Sequence, residues 1–135
     1  MRLKFTQDLL INVKSIDEQH KELFVRINDL VSMGHRSVSK EETDKTIHFL
    51  ATYVVKHFED EEALQRKSGY PKYEEHAKHH KDFMSDFQKL KAEYEENGVS
   101  TQFTLKLNNT VINWIVKHIR TADAELGRYL NKQSK

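Results

Sequence analysis

Of the eight histidines in this 135-residue chain, five fall where a buried helix face calls for leucine. His20, His57, His76, His80 and His118 each interrupt a stripe of apolar residues recurring at steps of three and four. Glu61 follows His57 by four residues and His80 follows His76 by four, so each pair shares one helix face. Burying such a set without compensation costs several kcal/mol for every charged group. A metal ion removes that cost, because neutral imidazole and carboxylate are both metal ligands. Nitrogen and oxygen donors together suit iron, zinc or manganese, and the absence of cysteine weakens a purely structural zinc reading. One histidine on an apolar stripe is usually ordinary packing. Five of them on four stripes, with a same-face glutamate, point to coordination.

The other three histidines read differently. His35 falls in a turn, and His48 lies off the stripe of its helix. His79 points about 100° away from its neighbour His80, and all three are expected in solvent. The runs FEDEEALQRK and KAEYEEN read as solvated faces, apart from Glu61, and Phe83, Phe87 and Tyr94 read as packing.

The elements that must position these groups are helices. MGHRSVSKEE, KSGYPKYEE and EENGVSTQF carry the turn-forming residues between long periodic segments. They divide the chain into four helices, at 17–34, 41–66, 71–96 and 101–131, preceded by an N-terminal arm, 1–15. The stripes are His20, Leu23, Phe24, Ile27, Leu30 and Val31; Ile47, Leu50, Val54, His57, Glu61 and Leu64; His76, His80, Phe83, Phe87, Leu90 and Tyr94; and Phe103, Leu107, Val111, Trp114, Ile115, His118 and Ala122. Gly127 interrupts the last helix, where it predicts fraying. Strand-like alternation is absent. Short connections between helices of similar length give an all-α, antiparallel up-down-up-down four-helix bundle, one domain spanning 1–135.

Composition narrows the function. With 22 basic and 21 acidic residues, no electrostatic case exists for nucleic acid or an anionic membrane as partner. Disulfides and thiolate chemistry are excluded. No segment approaches the ~18 apolar residues of a membrane span, and the N-terminus lacks the apolar run of a signal peptide. A cytoplasmic monomer is the expectation.

Four segments, IDEQHKELF at 16–24, HFEDEE at 57–62, GYPKYEEHAKHH at 69–80 and WIVKHIRTAD at 114–123, resemble the hemerythrins, specifically the single-domain bacterial members, over nearly the whole length. The resemblance implies two non-haem iron ions. His76, His80 and His118 would hold one and His20 with His57 the other, while Glu61, Asp123 and an oxo or hydroxo group bridge the pair. The first iron then has six ligands and the second five, leaving a position for dioxygen. The resemblance also places Leu23, Phe58, Trp114, Ile115 and Ile119 around that position, where a dry pocket keeps binding reversible. Phe5 stands where tryptophan is common in this family, Asn12 where glycine is common, and Ile115 where leucine is frequent.

Periodicity and resemblance disagree at one ligand. Asp123 lies about 140° from His118 on an ideal helix, so spacing alone selects Glu125. Taking Asp123 requires a local widening of the fourth helix, a π-type turn between His118 and Asp123. The expected function is reversible dioxygen binding for storage, transport or delivery, with no enzymatic reaction. The alternatives are a di-iron oxidase, peroxidase or nitric-oxide-handling enzyme, and a stand-alone sensor of oxygen or iron; a recipient protein is possible for any of them. Neither the Glu-x-x-His pairs of ferritin-like oxidases nor the His-Glu-x-x-His of zinc peptidases occurs.

Overall fold

The computed structural model describes residues 4–33, 40–98 and 100–133. Helix α1 is Lys14–Met33, α2 is Lys40–Ser68 and α3 is Tyr73–Asn97. The fourth, α4, runs continuously over residues 101–133, with π-helical stretches at Leu107–Ile112 and Ile119–Asp123 set between α-helical ones. Among the described residues there is no strand. The four helices form the antiparallel bundle expected from the stripes.

Helix ends depart from expectation by a few residues. α1 starts at Lys14, inside the segment assigned to the arm, and α2 extends to Ser68. Pro71 lies in the turn before α3 and not within it. Glu41 and Glu42 in the first turn of α2, with Arg66 and Lys67 in its last, oppose the helix dipole at both ends. Gly69, at φ 70°, ends α2. There Tyr70 N–H donates to Gln65 O at 2.9 Å and Gly69 N–H to Arg66 O at 3.3 Å, the paired bonds of a Schellman turn. The turn containing His35 lies outside the described residues.

The stripes face one core. Ile27, Leu50 and Val111 are wholly enclosed, and Phe83 and Phe87 pack beside them. Leu64 is only partly buried, while Gln65 beside it is fully enclosed. Asp123 likewise takes the interior place expected of Ala122.

The arm is fastened at both faces. It contains one turn of 3-10 helix, Gln7–Leu9. Asp17, on the first turn of α1, accepts the N–H groups of Ile11 at 2.9 Å and Asn12 at 3.1 Å. Asn12 has φ 64°, a left-handed conformation that costs most residues about 1–2 kcal/mol. That conformation accounts for glycine being common at this position. Gly127 does not fray α4, which continues to Gln133. It gives the arm room: a Cβ there would overlap the carbonyl oxygen of Ile11 and stand 2.9 Å from its Cβ.

Candidate metal centre

α1 contributes His20, α2 His57 and Glu61, α3 His76 and His80, and α4 His118 and Asp123. All seven side chains are buried, none more than 6 % exposed. They form two overlapping groups able to hold a metal ion: Glu61, His76, His80, His118 and Asp123, and His20, His57, Glu61 and Asp123. Both carboxylates belong to both groups.

Their individual oxygens divide between the groups. Glu61 Oε1 lies 2.9 Å from His76 Nε2 and 3.2 Å from His80 Nε2, while its Oε2 lies 3.5 Å from His57 Nε2 and 4.0 Å from His20 Nε2. Asp123 Oδ1 lies 2.9 Å from His76 Nε2 and 3.1 Å from His118 Nε2, and Oδ2 is 3.0 Å from His20 Nε2. Each carboxylate therefore spans the two sets of imidazoles.

Asp123 reaches this place through the π-helical stretch Ile119–Asp123, the widening that its choice over Glu125 requires. The extra residue in the turn aligns positions five apart. Glu125 instead turns outward, its side chain 42 % exposed and paired with Lys72.

The donor set fits metal ions. His76 and His80 Nε2 approach His118 Nε2 to 3.0 and 3.2 Å. Adjacent ligands of an octahedral ion with bonds of ~2.1 Å stand about 3.0 Å apart. Among the described residues, both oxygens of Glu61 and of Asp123 and both ring nitrogens of His20 lack a hydrogen-bond partner. Unpaired polar atoms this deeply buried are rare unless an ion or water completes them. The groups converge on shared points between them.

Electrostatics agree. Burial favours neutral carboxyls, yet the imidazoles of His76 and His80 hold Glu61 below its ordinary value. Burial is likewise overcome at Asp123, which His118, His20 and His76 keep well below the carboxylate range. Burial lowers His57 to about 4. It acts the same way on His76, but Asp123 and Glu61 more than offset it and raise that ring to about 9. Two carboxylates held anionic in the core are a negative charge that cations neutralise.

Hydrogen bonds on the far side of two rings orient them. Gln19 Oε1 lies 2.7 Å from His57 Nδ1, and Glu62 Oε2 lies 2.8 Å from His80 Nδ1. Glu62 lies in FEDEEALQRK, a run read as a solvated face, and the 23 % exposure of its side chain corrects that reading. Nothing in the periodicity distinguishes an acid facing water from one reaching back to a ring. His48 and His79 are exposed as expected, although the ring of His79 lies edge-on to His118 at 6.1 Å between centroids.

A small apolar cavity adjoins the cluster. Leu23, Phe58, Trp114, Ile115 and Ile119 all line it, together with Val54 and the polar groups His20, His57, His118 and Asp123. Its free volume is ≈10 Å³, about one water-sized occupant. Phe58 stacks on His80 with centroids 3.8 Å apart, and Trp114 stacks on His118 at 4.3 Å. The pocket walls thus also fix two of the imidazole planes.

Comparison with known proteins gives a consistent picture. Residues 12–130 match the hemerythrin HHE cation binding domain. The chain is 30% identical to a bacteriohemerythrin of Campylobacter jejuni subsp. jejuni over 125 residues, 93% of this chain and 92% of the relative. It is 34% identical to the bacteriohemerythrin of Methylococcus capsulatus over 128 residues, 89% of each, and 28% identical to the myohemerythrin of Theromyzon tessulatum over 82% of this chain and 78% of that one. A crystal structure of wild-type hemerythrin superposes with a TM-score of 0.82 at 27% identity, covering 95% of this chain and 97% of that one. The fold, the four histidine-bearing helices and these likenesses together establish that the chain belongs to the hemerythrin family.

Proposed function

We propose that this chain, a single domain spanning 1–135 and acting as a cytoplasmic monomer, binds dioxygen reversibly at a di-iron centre and carries, stores or delivers it. His76, His80 and His118 would hold one iron and His20 and His57 the other, with Glu61, Asp123 and an oxo or hydroxo group across both. The observation that carries this reading is an asymmetry. Two carboxylates are shared by sets of three and two imidazoles, and the cavity touches both imidazoles of the smaller set but only His118 of the larger.

When bound, an iron pair would supply the two electrons that binding dioxygen draws on. The protein's own work is to position and to exclude. The stacked Phe58 and Trp114 hold His80 and His118 in plane. Leu23, Ile115 and Ile119 present no polar atom to the cavity, so water or an anion entering it meets polar partners only on the side of the cluster, at His20, His57, His118 and Asp123. Histidine-rich ligation, and the absence of any Glu-x-x-His pair, support binding over oxygen activation. Among the described residues, no helix is long and apolar enough to cross a membrane.

The test is spectroscopic. Iron-loaded, reduced protein is exposed to air and then returned to vacuum, with the visible spectrum recorded at each step. A coloured form that appears and vanishes over many cycles is the expected result. Rapid, permanent conversion to the diferric state with peroxide consumption overturns this reading in favour of an oxidase or peroxidase.

A further inference from the structure

One ring in each imidazole set has a hydrogen-bond acceptor behind it, and the two acceptors differ in charge. On the three-histidine side, His80 Nδ1 faces the carboxylate of Glu62 directly, at 2.8 Å. On the two-histidine side, His57 Nδ1 faces an amide oxygen, that of Gln19, at 2.7 Å. The orientation of that amide is determined. Gln19 Nε2 lies 2.9 Å from Asp60 Oδ2, and an ionised carboxylate only accepts. Asp60 in turn receives Lys56 Nζ at 3.2 Å. With its NH2 committed to Asp60, Gln19 offers its oxygen to the ring, so His57 Nδ1 is a donor and its Nε2 lone pair faces the cluster. The chain Lys56–Asp60–Gln19 thereby selects the tautomer from outside the bundle. The same logic at His80 needs no intermediary, since Glu62 itself accepts.

Acceptors of different charge have different consequences. An anionic acceptor draws the Nδ1 proton outward, so the ring becomes a stronger donor through Nε2 and favours the higher oxidation state of a metal bound there. A neutral amide does so less.

We propose that Gln19 and Glu62 are positioning residues that make the two metal positions electronically unequal: Glu62 strengthens His80 on the three-histidine side, and Gln19, oriented by Asp60, leaves His57 the weaker donor. The inference rests on the di-iron reading above. Its consequence is that the two-histidine metal, next to the cavity, is the one less inclined to remain oxidised.

The test exchanges the two acceptors. E62Q keeps an acceptor behind His80 and removes its charge. Q19E with D60N places a carboxylate behind His57 while giving it a donor where Asp60 would repel it. Wild type and variants are loaded with iron, and their stepwise reduction is followed by spectroelectrochemistry. The E62Q variant should become easier to reduce, with a potential shifted positive, and the Q19E/D60N variant harder, with a potential shifted negative. Unchanged potentials in variants that hold two irons overturn the proposal, and so do shifts of the same sign in both.

Cobalt(II) loading provides an arm independent of dioxygen and of iron retention. In proton NMR the paramagnetically shifted ring N–H of one histidine should move in E62Q and that of a different histidine in Q19E/D60N. Movement of every ring N–H alike, or of none, overturns the proposal. If wild-type protein holds no metal pair, the di-iron reading itself has failed, an outcome separate from these.

Discussion

Asp123 Oδ1 stands 3.1 Å from His118 Nε2, five residues earlier on the same helix. Regular α-helix would put those side chains about 140° apart, so the contact exists only because Ile119–Asp123 is wound as a π-helix. Extra residues of this kind gather at functional sites, and here the distortion delivers the one carboxylate that α4 contributes to the cluster. Two variants separate the candidates. D123A should lose at least one of two metals per chain by elemental analysis, whereas E125A, which removes only the pairing with Lys72, should keep both. The reverse outcome would return the ligand to the position that helical periodicity favours.

How far the site is legible in the sequence follows from what a local pattern records. Burial repeats every three to four residues in a regular helix, so His20, His57, Glu61, His76, His80 and His118 announce themselves as breaks in apolar stripes. Asp123 does not, because the π-turn that aims it breaks the period by which it would be found. A second such stretch, Leu107–Ile112, has no counterpart in the expected helix boundaries. Gln19, Asp60 and Glu62 are hidden for another reason: their partners lie across the bundle, on other helices or behind a ring, and on a helical wheel they look like any solvated residue. Gly127 is the same case. Its contact with Ile11 spans the length of the chain, and local reasoning sees only a poor helix former.

Gly127 allows two effects to be compared by size. Replacing a helix-interior glycine with alanine stabilises by about 1 kcal/mol from propensity alone. Forcing a methyl group against packed backbone costs typically about 1–3 kcal/mol, and here the obstacle is the Ile11 main chain. The clash should win, and G127A should lower stability by up to about 2 kcal/mol in urea titration. A stabilised variant would mean that the arm does not rest on α4.

Neighbouring histidines on α3 offer a sharper contrast. His80 is 2 % exposed with its Nε2 against Glu61 and His118, whereas His79 is on the surface. H80A should weaken metal binding by more than the about 10–100-fold that loss of an outer partner costs, and H79A should leave stoichiometry unchanged. Metal loss from H79A with retention by H80A would show that the wrong member of the pair had been placed at the centre.

Metal removal should be felt by the whole fold. Without cations the two buried carboxylates share the core with five imidazoles, whose ring nitrogens are the polar groups found near their oxygens among the described residues. Any ligand that binds only the native state stabilises it, by about 4 kcal/mol when present at 1,000 times its dissociation constant. Chelation of the reduced protein should therefore lower the melting temperature, and readdition of ferrous iron should restore it. A melting curve indifferent to chelator, in protein shown by analysis to have lost its metal, would mean that the cluster contributes nothing to folding.

Dryness of the cavity is open to a nearly isosteric test at Val54. This residue is 1 % exposed and lines the cavity one turn before His57. A buried water needs two to four polar partners as well as space, and away from the cluster's own His20, His57, His118 and Asp123 the aliphatic residues of the wall offer none. V54T adds a hydroxyl at almost constant volume, whereas V54A adds space without polarity. If exclusion of water keeps oxygenation reversible, V54T should lose its colour to permanent oxidation about tenfold faster over repeated cycles, equivalent to ~1.4 kcal/mol in the barrier. V54A should change less. Faster loss in V54A with V54T unaltered would mean that cavity volume, and not the absence of polar groups, protects the bound state.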